Sequence, residues 1–199
     1  MAERLIAIEG LDGAGKTTQV QLLVSRLAPH EVVAFPRYDT FFGRQIRLLL
    51  DGVGGLSAET VDPRSMALWY ALDRAQWARD RKPAPDGVVL LNRYTLSNAV
   101  YQSARSGADL FDWILRLEYE ELGLPQPDLT VVLDVPPDVS RRRVTHRDGA
   151  GDVYERAADL QARVREGYLA AAARLPGVVV VSAAGPADEV HAKVLAAIS

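Results

Sequence analysis

Five short apolar segments divide this sequence, and stretches with helical periodicity separate them. Each segment is almost continuously apolar rather than alternating, which is typical of strands buried on both faces of a sheet. The predicted strands are Leu5–Ile8, Glu31–Phe35, Val88–Leu91, Leu129–Val135 and Val178–Val181. Because strands and helices alternate, the sequence predicts an α/β fold with a five-stranded parallel sheet and helices on both faces.

The segments between the strands repeat apolar residues at helical spacing or begin with residues typical of helix starts. Asp62 followed by Pro63, for example, combines an N-cap with a proline in the first turn. The predicted helices are Gln19–Leu27, Gly43–Leu50, Asp62 to about Arg81, Ser97–Ser106, Leu110–Leu122, the segment that Pro136 begins, Tyr154–Leu175 and Asp188–Ile198. Residues 147–152 predict a mobile loop.

Three motifs directly follow predicted strands: the glycine-rich stretch after Ile8, the segment Phe35–Arg37 and the segment Asn92–Tyr94. Right-handed crossovers place the carboxyl ends of parallel strands, and hence the ligand sites, along one edge of a sheet. We therefore expect the three motifs to line one crevice.

Residues 10–17 match the phosphate-binding pattern G-x-x-x-x-G-K-[ST] at every specified position. In such a loop the backbone amides and the helix N-terminus face the phosphates. Lys16 is expected to be an exposed side chain that reaches the β- and γ-phosphates, and Thr17 to ligate magnesium. The predicted ATP-binding residues here are Gly10, Leu11, Asp12, Gly13, Ala14, Gly15, Lys16, Thr17 and Thr18. The pattern predicts binding of a nucleoside triphosphate.

Composition narrows the class without changing this prediction. The 199 residues are 48% hydrophobic and 25% charged, as in an average soluble protein, and we expect a single domain, 1–199. The sequence has no apolar run of membrane-spanning length and no secretory signal at its start, so a cytoplasmic location is expected. A net charge of −3 argues against binding a nucleic acid polymer. Without cysteine, disulfides and thiolate chemistry are excluded.

A triphosphate-binding chain of this length is either a molecular switch or motor, or a phosphotransferase. The sequence lacks the N-K-x-D stretch that a guanine-binding switch uses, and Asp51–Gly54, which matches D-x-x-G, follows a predicted helix and reads as a turn. A motor ATPase normally needs a longer chain. Arginines placed separately around the predicted crevice favour a small-molecule phosphotransferase.

Five sequence blocks occur in the order seen in thymidylate kinases. They are Ile8–Thr18, Phe35–Tyr38, Ala71–Ala75, Arg93–Gln102 and Asp152–Glu155. Over residues 5 to about 175 the chain resembles the bacterial type, closest in pattern to actinobacterial members. The resemblance implies the P-loop nucleoside monophosphate kinase fold with a short lid at about 141–152. It also implies transfer of the ATP γ-phosphoryl group to thymidine 5′-monophosphate, with magnesium, in a homodimer.

The resemblance also implies the substrate contacts. Tyr70 stacks on thymine, Arg74 and Asn98 read the polar edge of the base, and Arg37 and Arg93 hold the acceptor phosphate. The implied substrate-binding residues are Asp12, Phe35, Arg37, Tyr38, Tyr70, Arg74, Arg93, Ser97, Asn98, Tyr101, Gln102 and Tyr154. The bland alternatives are a core aromatic for Tyr70 and a solvated helix-face charge for Arg74; their spacing of four residues on one helical face favours function.

The catalytic machinery is expected to be electrostatic. A phosphate monoester has a second pKa of about 6 and is largely deprotonated at neutral pH, so no general base is needed. The predicted catalytic residues are Lys16, Arg93, Arg147 and Asp12. The predicted magnesium ligands are Thr17, Asp12 and Glu155, with Asp12 alternatively binding the sugar 3′-hydroxyl and Asp152 alternatively acting through water.

The lid is expected to supply a clamping arginine, because the variable positions of the phosphate loop contain none. The candidates are Arg141, Arg142, Arg143 and Arg147; the alternative is a solvated basic helix face. Arg147 is the preferred catalytic arginine. Arg141 is expected to bind ATP, and it could do so by stacking on adenine instead of clamping the phosphoryl group. Which lid arginine has which role stays open.

One position departs from the family pattern. Relatives usually have an acidic residue where this chain has Asn92, which keeps the size but loses the charge. The sequence is compatible with a kinase that manages without this carboxylate or with an engineered change. Two alternatives therefore stay open: a kinase for another deoxynucleoside monophosphate, and a nucleotide-binding protein with attenuated catalysis.

Overall fold

The computed structural model describes residues 3–148 and 158–199, without the side chains of residues 145–148 and 158. These ranges contain one sheet, whose strands are β1 (Arg4–Gly10), β2 (Glu31–Ala34), β3 (Val88–Asn92), β4 (Leu129–Asp134) and β5 (Val178–Ser182). Their order is β2-β3-β1-β4-β5, and every neighbouring pair is parallel. The predicted five-stranded parallel sheet is confirmed.

Helices connect the strands, as the apolar periodicity predicts. They are α1 (Lys16–Leu27), α2 (Phe41–Asp51), α3 (Pro63–Asp80), α4 (Thr95–Ser106), α5 (Phe111–Leu115), α6 (Pro137–Asp148), α7 (Ala158–Arg174) and α8 (Ala187–Ile198). The side chain of Asp62 accepts a hydrogen bond from the Ser65 amide at the start of α3, as predicted for an N-cap. Within residues 3–148 and 158–199, no helix has the length and apolar content that a membrane span requires.

The predicted helices Gly43–Leu50 and Leu110–Leu122 differ from the structure. Helix α2 begins at Phe41 rather than Gly43, because the Thr40 hydroxyl caps it by accepting a hydrogen bond from the Gly43 amide. The predicted helix Leu110–Leu122 is α5 followed by a π-helical turn, Arg116–Glu121. The predicted start of the helix Tyr154–Leu175 lies outside the described residues.

Both faces of the sheet are covered, so the central strands β1 and β4 are almost entirely buried. Helix α1 packs on β1 and β3, α8 packs on β4 and β5, and these two helices contact each other. On the other face, α4 packs on β1 and contacts α3, α5 and α7. Because successive strand residues point to opposite faces, Ile6 and Ile8 face away from the side of Leu5, Ala7 and Glu9.

The strand register brings the three sequence motifs to one edge. In β1, Ile8 lies opposite Asn92 of β3, and Gly10 lies opposite Leu133 of β4. The chain crosses from one side of β1 to the other between β3 and β4, which is where open α/β sheets bind ligands. The phosphate-binding loop, the segment after β2 and the segment after β3 therefore surround one crevice, as expected.

The segment that follows β2 approaches α2 unusually closely. A Cβ atom added to Gly43 would lie 1.8 Å from the carbonyl oxygen of Arg37. The Arg37 carbonyl also accepts hydrogen bonds from the Thr40 amide, at 2.9 Å, and from the Thr40 hydroxyl, at 2.8 Å. Glycine at position 43 therefore permits the contact that places residues 36–40 beside the crevice.

We expect Gly43→Ala to destabilise the protein by about 3 kcal/mol, because the added methyl group meets backbone rather than a movable side chain. Urea unfolding measures the loss. Gly54→Ala is the matched control, since no atom lies within 4 Å of its added Cβ and only its φ of +77° opposes alanine, at about 1 kcal/mol. Equal losses in the two variants would contradict the close approach.

Candidate active site

The phosphate-binding loop joins β1 to α1 and is fastened to α6. At Gly13 the φ angle is +77°, and an added Cβ would lie 2.5 Å from the carbonyl oxygen of Ser140 in α6. The Ser140 hydroxyl donates a short hydrogen bond to the carbonyl oxygen of Asp12. Glycine is required at this position because α6 lies directly against the loop. The helix that begins the predicted lid is therefore anchored to this loop.

Lys16 is buried, contrary to the expectation of an exposed loop side chain. The residue is 7% exposed, and Nζ donates to the carbonyl oxygens of Gly10, at 3.1 Å, and Leu11, at 2.7 Å. The carboxylate of Asp12 lies 3.8 Å from Nζ. The short loop surrounds the amine, and its carbonyl groups accept hydrogen bonds from the positively charged group. A phosphate entering the loop competes for the same N–H donors.

Asn92 and Thr17 contact each other at the ends of β3 and the loop. Asn92 Nδ2 donates a hydrogen bond of 3.2 Å to Thr17 Oγ1, and the Thr17 side chain is exposed. Residues 3–148 and 158–199 contain no group of three or more His, Cys, Asp or Glu side chains that could hold a metal ion. Magnesium keeps several waters and binds through few protein ligands plus phosphates, so an exposed threonine hydroxyl fits it.

A cavity of about 540 Å³, including the solvent at its mouth, lies beside the loop. It brings together ten of the twelve residues predicted to bind substrate. Its lining residues are Asp12, Phe35, Pro36, Tyr38, Leu50, Tyr70, Arg74, Arg93, Ser97, Asn98, Tyr101 and Gln102. Arg37 is not among these lining residues, and Tyr154 lies outside the described residues. We call this the acceptor cavity.

Arg93, Asp12 and Tyr101 form a charged cluster in the acceptor cavity. Arg93 Nη2 donates a short hydrogen bond to Asp12 Oδ1, and the Tyr101 hydroxyl donates to Asp12 Oδ2 at 3.0 Å. Although burial raises the pKa of Asp12, the charges of Arg93 and Lys16 lower it well below its usual range. Burial and the Asp12 charge raise the pKa of Tyr101. At neutral pH the carboxylate is therefore ionised and the phenol is a hydrogen-bond donor.

Arg93 has a backbone conformation that suits a site rather than a regular element. Its φ angle is +66°, in the left-handed region that residues with a side chain rarely adopt. The Arg93 amide donates to the carbonyl oxygen of Ile8 at 3.0 Å, and its Nη1 donates to the Ser97 hydroxyl at 2.9 Å. Two neighbouring elements hold the strained residue, so its guanidinium is kept pointing toward Asp12.

Arg37 is held by a carboxylate that the sequence did not single out. Asp73 of α3, which is 1% exposed, accepts from the Arg37 amide at 2.8 Å and from Arg37 Nε at 3.2 Å. It also accepts from the Thr40 hydroxyl at 3.0 Å. The Ala71–Ala75 block contains Asp73, so the motif was a usable signal. The structure shows that this residue fixes the segment after β2.

Glu118 is a second functional candidate that sequence reasoning missed. It is fully buried and accepts two hydrogen bonds from Arg74, through Nε at 2.7 Å and Nη2 at 2.6 Å. It also accepts from Asn98 Nδ2 at 2.7 Å. In the sequence Glu118 is one of several glutamates on a predicted helix, and its spacing gives no signal that distinguishes it from the exposed Glu120 and Glu121.

The described lid arginines have different surroundings. Arg143 Nη1 donates to the carbonyl oxygens of Gly13, at 3.4 Å, and Ala183, at 3.0 Å, so it links the phosphate-binding loop to the segment after β5. Arg142 pairs with Asp138 at 3.0 Å on the surface. The side chain of Arg147 lies outside the described residues, as do Asp152, Tyr154 and Glu155. Arg143 is thus engaged by backbone carbonyls rather than poised over the loop.

A second cavity lies between the phosphate-binding loop, α6 and α7. Its lining residues are Asp12, Pro137, Asp138, Ser140, Arg141, Val144 and Gln161. Asp12 lines this cavity and the acceptor cavity. A ligand beside the loop and a ligand in the acceptor cavity would therefore meet at Asp12 and its partner Arg93.

A phosphate-binding loop at the carboxyl edge of a parallel sheet, with an arginine-lined cavity beside it, defines a P-loop nucleoside monophosphate kinase. The family model for thymidylate kinases matches residues 8–194. The chain therefore belongs to the thymidylate kinase family, as the resemblance implied.

Individual relatives agree with this membership. A thymidylate kinase from Mycobacterium tuberculosis (strain ATCC 25618 / H37Rv) is 40% identical over 186 residues, covering 85% of this chain and 86% of that protein. A probable thymidylate kinase from Thermococcus onnurineus (strain NA1) is 35% identical over 200 residues, covering 96% and 95%. The structure of a thymidylate kinase from Candida albicans matches the fold with a TM-score of 0.80 at 24% identity, covering 99% of this chain and 91% of that chain.

We expect Asp12→Asn to destabilise the protein more at pH 7 than at pH 3. Asp12 has a lower pKa in the folded protein than in the unfolded chain, where it is about 3.9. Its carboxylate therefore stabilises the folded state fully at pH values above about 3.9. This stabilisation is lost as the pH falls from about 3.9 toward the folded-state pKa. The difference in the free energy of unfolding between wild type and variant, measured in urea, should stay constant from pH 7 to pH 5. This difference should decrease between pH 4 and pH 3 by up to about 1 kcal/mol. A constant difference down to pH 3 would contradict the pairing with Arg93.

Proposed function

We propose that this chain transfers the γ-phosphoryl group of ATP to thymidine 5′-monophosphate in the acceptor cavity. The observation that carries this proposal is that the acceptor cavity and the cavity beside the phosphate-binding loop share Asp12. A donor phosphate on the loop and an acceptor phosphate beside Arg93 then lie next to each other. Holding two reactants in adjacent sites is itself a large contribution to phosphoryl transfer.

The polar groups of the acceptor cavity complement thymine. Asn98 Oδ1 and Gln102 Nε2 are buried and have no hydrogen-bond partner in the described part of the chain. Arg74 adds a cationic donor, and Tyr70 and Phe35 add aromatic walls. Thymine presents an N3–H donor between two carbonyl acceptors, so an acceptor flanked by donors matches its edge. Buried groups left unpaired are costly, which favours a ligand that satisfies them.

The sugar and phosphate are assigned to the charged cluster. Asp12 is proposed to accept from the sugar 3′-hydroxyl, with the ring of Tyr101 packed beside the 2′ carbon, where a ribose hydroxyl would clash. Arg93, together with Arg37 from the segment after β2, is proposed to hold the acceptor phosphate. Ser97 supports this arrangement because it accepts a hydrogen bond from Arg93.

The transferring phosphoryl group requires positive charge more than acid–base chemistry. The acceptor phosphate is already deprotonated at neutral pH, so the chain has to stabilise the charge that two polyanions bring together. Lys16 and the loop amides are proposed to serve the donor phosphates. Arg141, which lines the cavity beside the loop, is proposed to contact ATP, and Arg147 is proposed as the lid arginine that closes over the transferring group.

Magnesium is proposed as the metal cofactor, held by Thr17 together with the phosphates of the nucleotide. When bound, it neutralises phosphate charge during transfer. Asp12 and Glu155 remain the proposed additional protein contacts, Asp12 at the edge of the loop and Glu155 outside the described residues. The exposed Thr17 hydroxyl supports this assignment.

Several broader assignments are also proposals. Residues 1–199 are proposed to form one kinase domain with a lid at about 141–152, located in the cytoplasm and without a nucleic acid polymer as partner. The 40% identity to the mycobacterial enzyme supports the actinobacterial subtype. Exposed apolar side chains on α2 and α3, including Leu48, Leu68 and Leu72, support a homodimer. Sedimentation equilibrium would measure the mass of the assembly in solution.

We expect thymidine monophosphate to be preferred over the cytidine analogue by at least about a hundredfold in kcat/KM, because cytosine reverses the donor and acceptor at the edge that Asn98 and Arg74 face. A coupled assay of ADP release against a panel of deoxynucleoside monophosphates measures this ratio. Equal rates on the two substrates would favour a kinase for another monophosphate. No ADP release with any monophosphate would favour a nucleotide-binding protein without turnover.

We expect Asn92→Asp to lower the free magnesium concentration for half-maximal rate by about tenfold. The amide of Asn92 donates to Thr17 Oγ1 and so occupies a lone pair that a metal would use, whereas a carboxylate would accept from the hydroxyl and add negative charge. Two measurements test this: the reaction rate as a function of free magnesium, and the binding of magnesium–ADP, measured by calorimetry at the same free magnesium concentrations. Asn92→Ala, which removes the amide without adding charge, should not show the same gain. Coincident curves for wild type and Asn92→Asp would exclude a metal-linked role.

A further inference from the structure

Glu118 lies behind the acceptor cavity, where it touches two cavity residues but does not line the cavity itself. We propose that Glu118 is a positioning residue that sets the base selectivity of the cavity by fixing which hydrogen-bonding groups Arg74 and Asn98 present to the base. This inference rests on the proposed function, since it concerns the selectivity of that reaction. Glu118 contacts no substrate and acts only through these two side chains.

Both carboxylate oxygens of Glu118 are saturated. Oε2 accepts from Arg74 Nε and from the Thr95 hydroxyl, each at 2.7 Å. Oε1 accepts from Arg74 Nη2 at 2.6 Å and from Asn98 Nδ2 at 2.7 Å. Four donors from α3 and α4 thus converge on one carboxylate that is fully buried. Charge-assisted, two-pronged contacts of this kind fix geometry as well as contribute energy.

The carboxylate determines which end of the Asn98 amide faces the cavity. Nδ2 lies 2.7 Å from Glu118 Oε1 and 3.0 Å from the carbonyl oxygen of Ala67, and both of these atoms only accept hydrogen bonds. A flipped amide would place Oδ1 against two acceptors. The amide therefore has one allowed orientation, which leaves Oδ1 as the group available to a ligand. The cavity presents an acceptor at this position rather than a donor.

The same carboxylate determines what Arg74 presents. Nε and Nη2 are engaged with Glu118, so Nη1 is the nitrogen that a ligand can use. Arg74 is 2% exposed. Burial alone would lower the pKa of Arg74, but the charge of Glu118 outweighs it and raises the pKa above its ordinary value. The guanidinium therefore stays charged inside the protein and is held as a donor beside the acceptor on Asn98.

The π-helical turn Arg116–Glu121 places this carboxylate in the interior. In the turn the Leu122 amide donates to the carbonyl oxygen of Leu117 at 2.9 Å, five residues earlier. The adjacent residues Leu117 and Glu118 are both buried, at 8% and 0% exposed. The acid thereby reaches α3 and α4, while Leu117 also packs inward. Single π turns often occur at functional sites, which agrees with this assignment.

The arrangement favours a base that has a donor next to a carbonyl acceptor, as thymine has at N3–H and O4. Cytosine has the reverse pattern, an acceptor at N3 and an amino group at C4. Its N3 acceptor would face the Asn98 acceptor, and its amino group would face the Arg74 donor. In Glu118→Gln one oxygen becomes an NH₂ group. In the wild type each carboxylate oxygen accepts from one Arg74 nitrogen. Whichever oxygen the NH₂ group replaces, it therefore faces an N–H of Arg74.

The test compares kcat/KM for thymidine and deoxycytidine monophosphates in Glu118→Gln. We expect the ratio to fall at least about tenfold, chiefly through a higher KM for the thymidine substrate, with KM for ATP little changed. A purely structural role would lower both specificity constants together and leave their ratio unchanged. Binding of the two monophosphates without ATP, measured by calorimetry, should show the same loss of discrimination.

Glu121→Gln is the matched control, because this exposed glutamate in the same turn pairs only loosely with Arg116, at 3.6 Å. Its ratio should equal that of wild type. If Glu118→Gln does not fold, Glu118→Asp keeps the charge but withdraws the carboxylate by one methylene, and the same fall is expected. An unchanged ratio in whichever folded variant is measured would overturn the inference. A wild type without preference for thymidine monophosphate would instead overturn the proposed function.

Discussion

The hydrogen bonds that Glu9 accepts at the carboxyl end of β1 hold together the elements that form the site. This fully buried carboxylate accepts from the amides of Tyr94, at 2.7 Å, and Ser97, at 3.1 Å, in the first turn of α4. It also accepts from the hydroxyl of Tyr168 in α7 at 3.1 Å. An acid at a helix N-terminus satisfies otherwise free amides, so one residue caps α4 from a neighbouring strand. The phosphate-binding loop, which begins at the next residue, is thereby tied to the helix that lines the acceptor cavity.

The cationic side chains around the acceptor cavity share one design, in which each is held by an acid. Arg93 pairs with Asp12, Arg74 pairs with Glu118, and Asp73 holds Arg37. Removing one member of a buried pair leaves an uncompensated charge, which typically costs 3–5 kcal/mol. Such pairs keep the donors in place before substrate arrives, so less ordering has to accompany binding. They also cancel much of the positive charge that these three arginines bring to the cavity.

Several parts of the site were predictable from sequence because their signals are local. The phosphate-binding pattern specifies its own strand–turn–helix context, and the residues of the Arg93–Gln102 block lie in the first turns of α4 or directly before it. The acids that hold these residues gave weaker signals. Glu118 is 44 residues from Arg74 and 20 from Asn98, so its role depends on how α3, α4 and the π-helical turn pack. Helix α4 begins at Thr95 rather than Ser97 for the same reason, since its cap comes from β1.

By itself, the sequence determined the alternation of strands and helices and the phosphate-binding loop, because apolar periodicity and short motifs act within a few residues. The set of residues around the acceptor cavity came from the family resemblance of its sequence blocks. Only the tertiary structure decided that Lys16 turns inward onto the carbonyl groups of its own loop, and that Arg143 spans to the segment after β5. It also decided which end of the Asn98 amide faces the cavity. The acceptors of Arg143 and Asn98 come from distant segments, and those of Lys16 depend on how its own loop folds back. In each case a buried donor adopts the orientation that its acceptors allow.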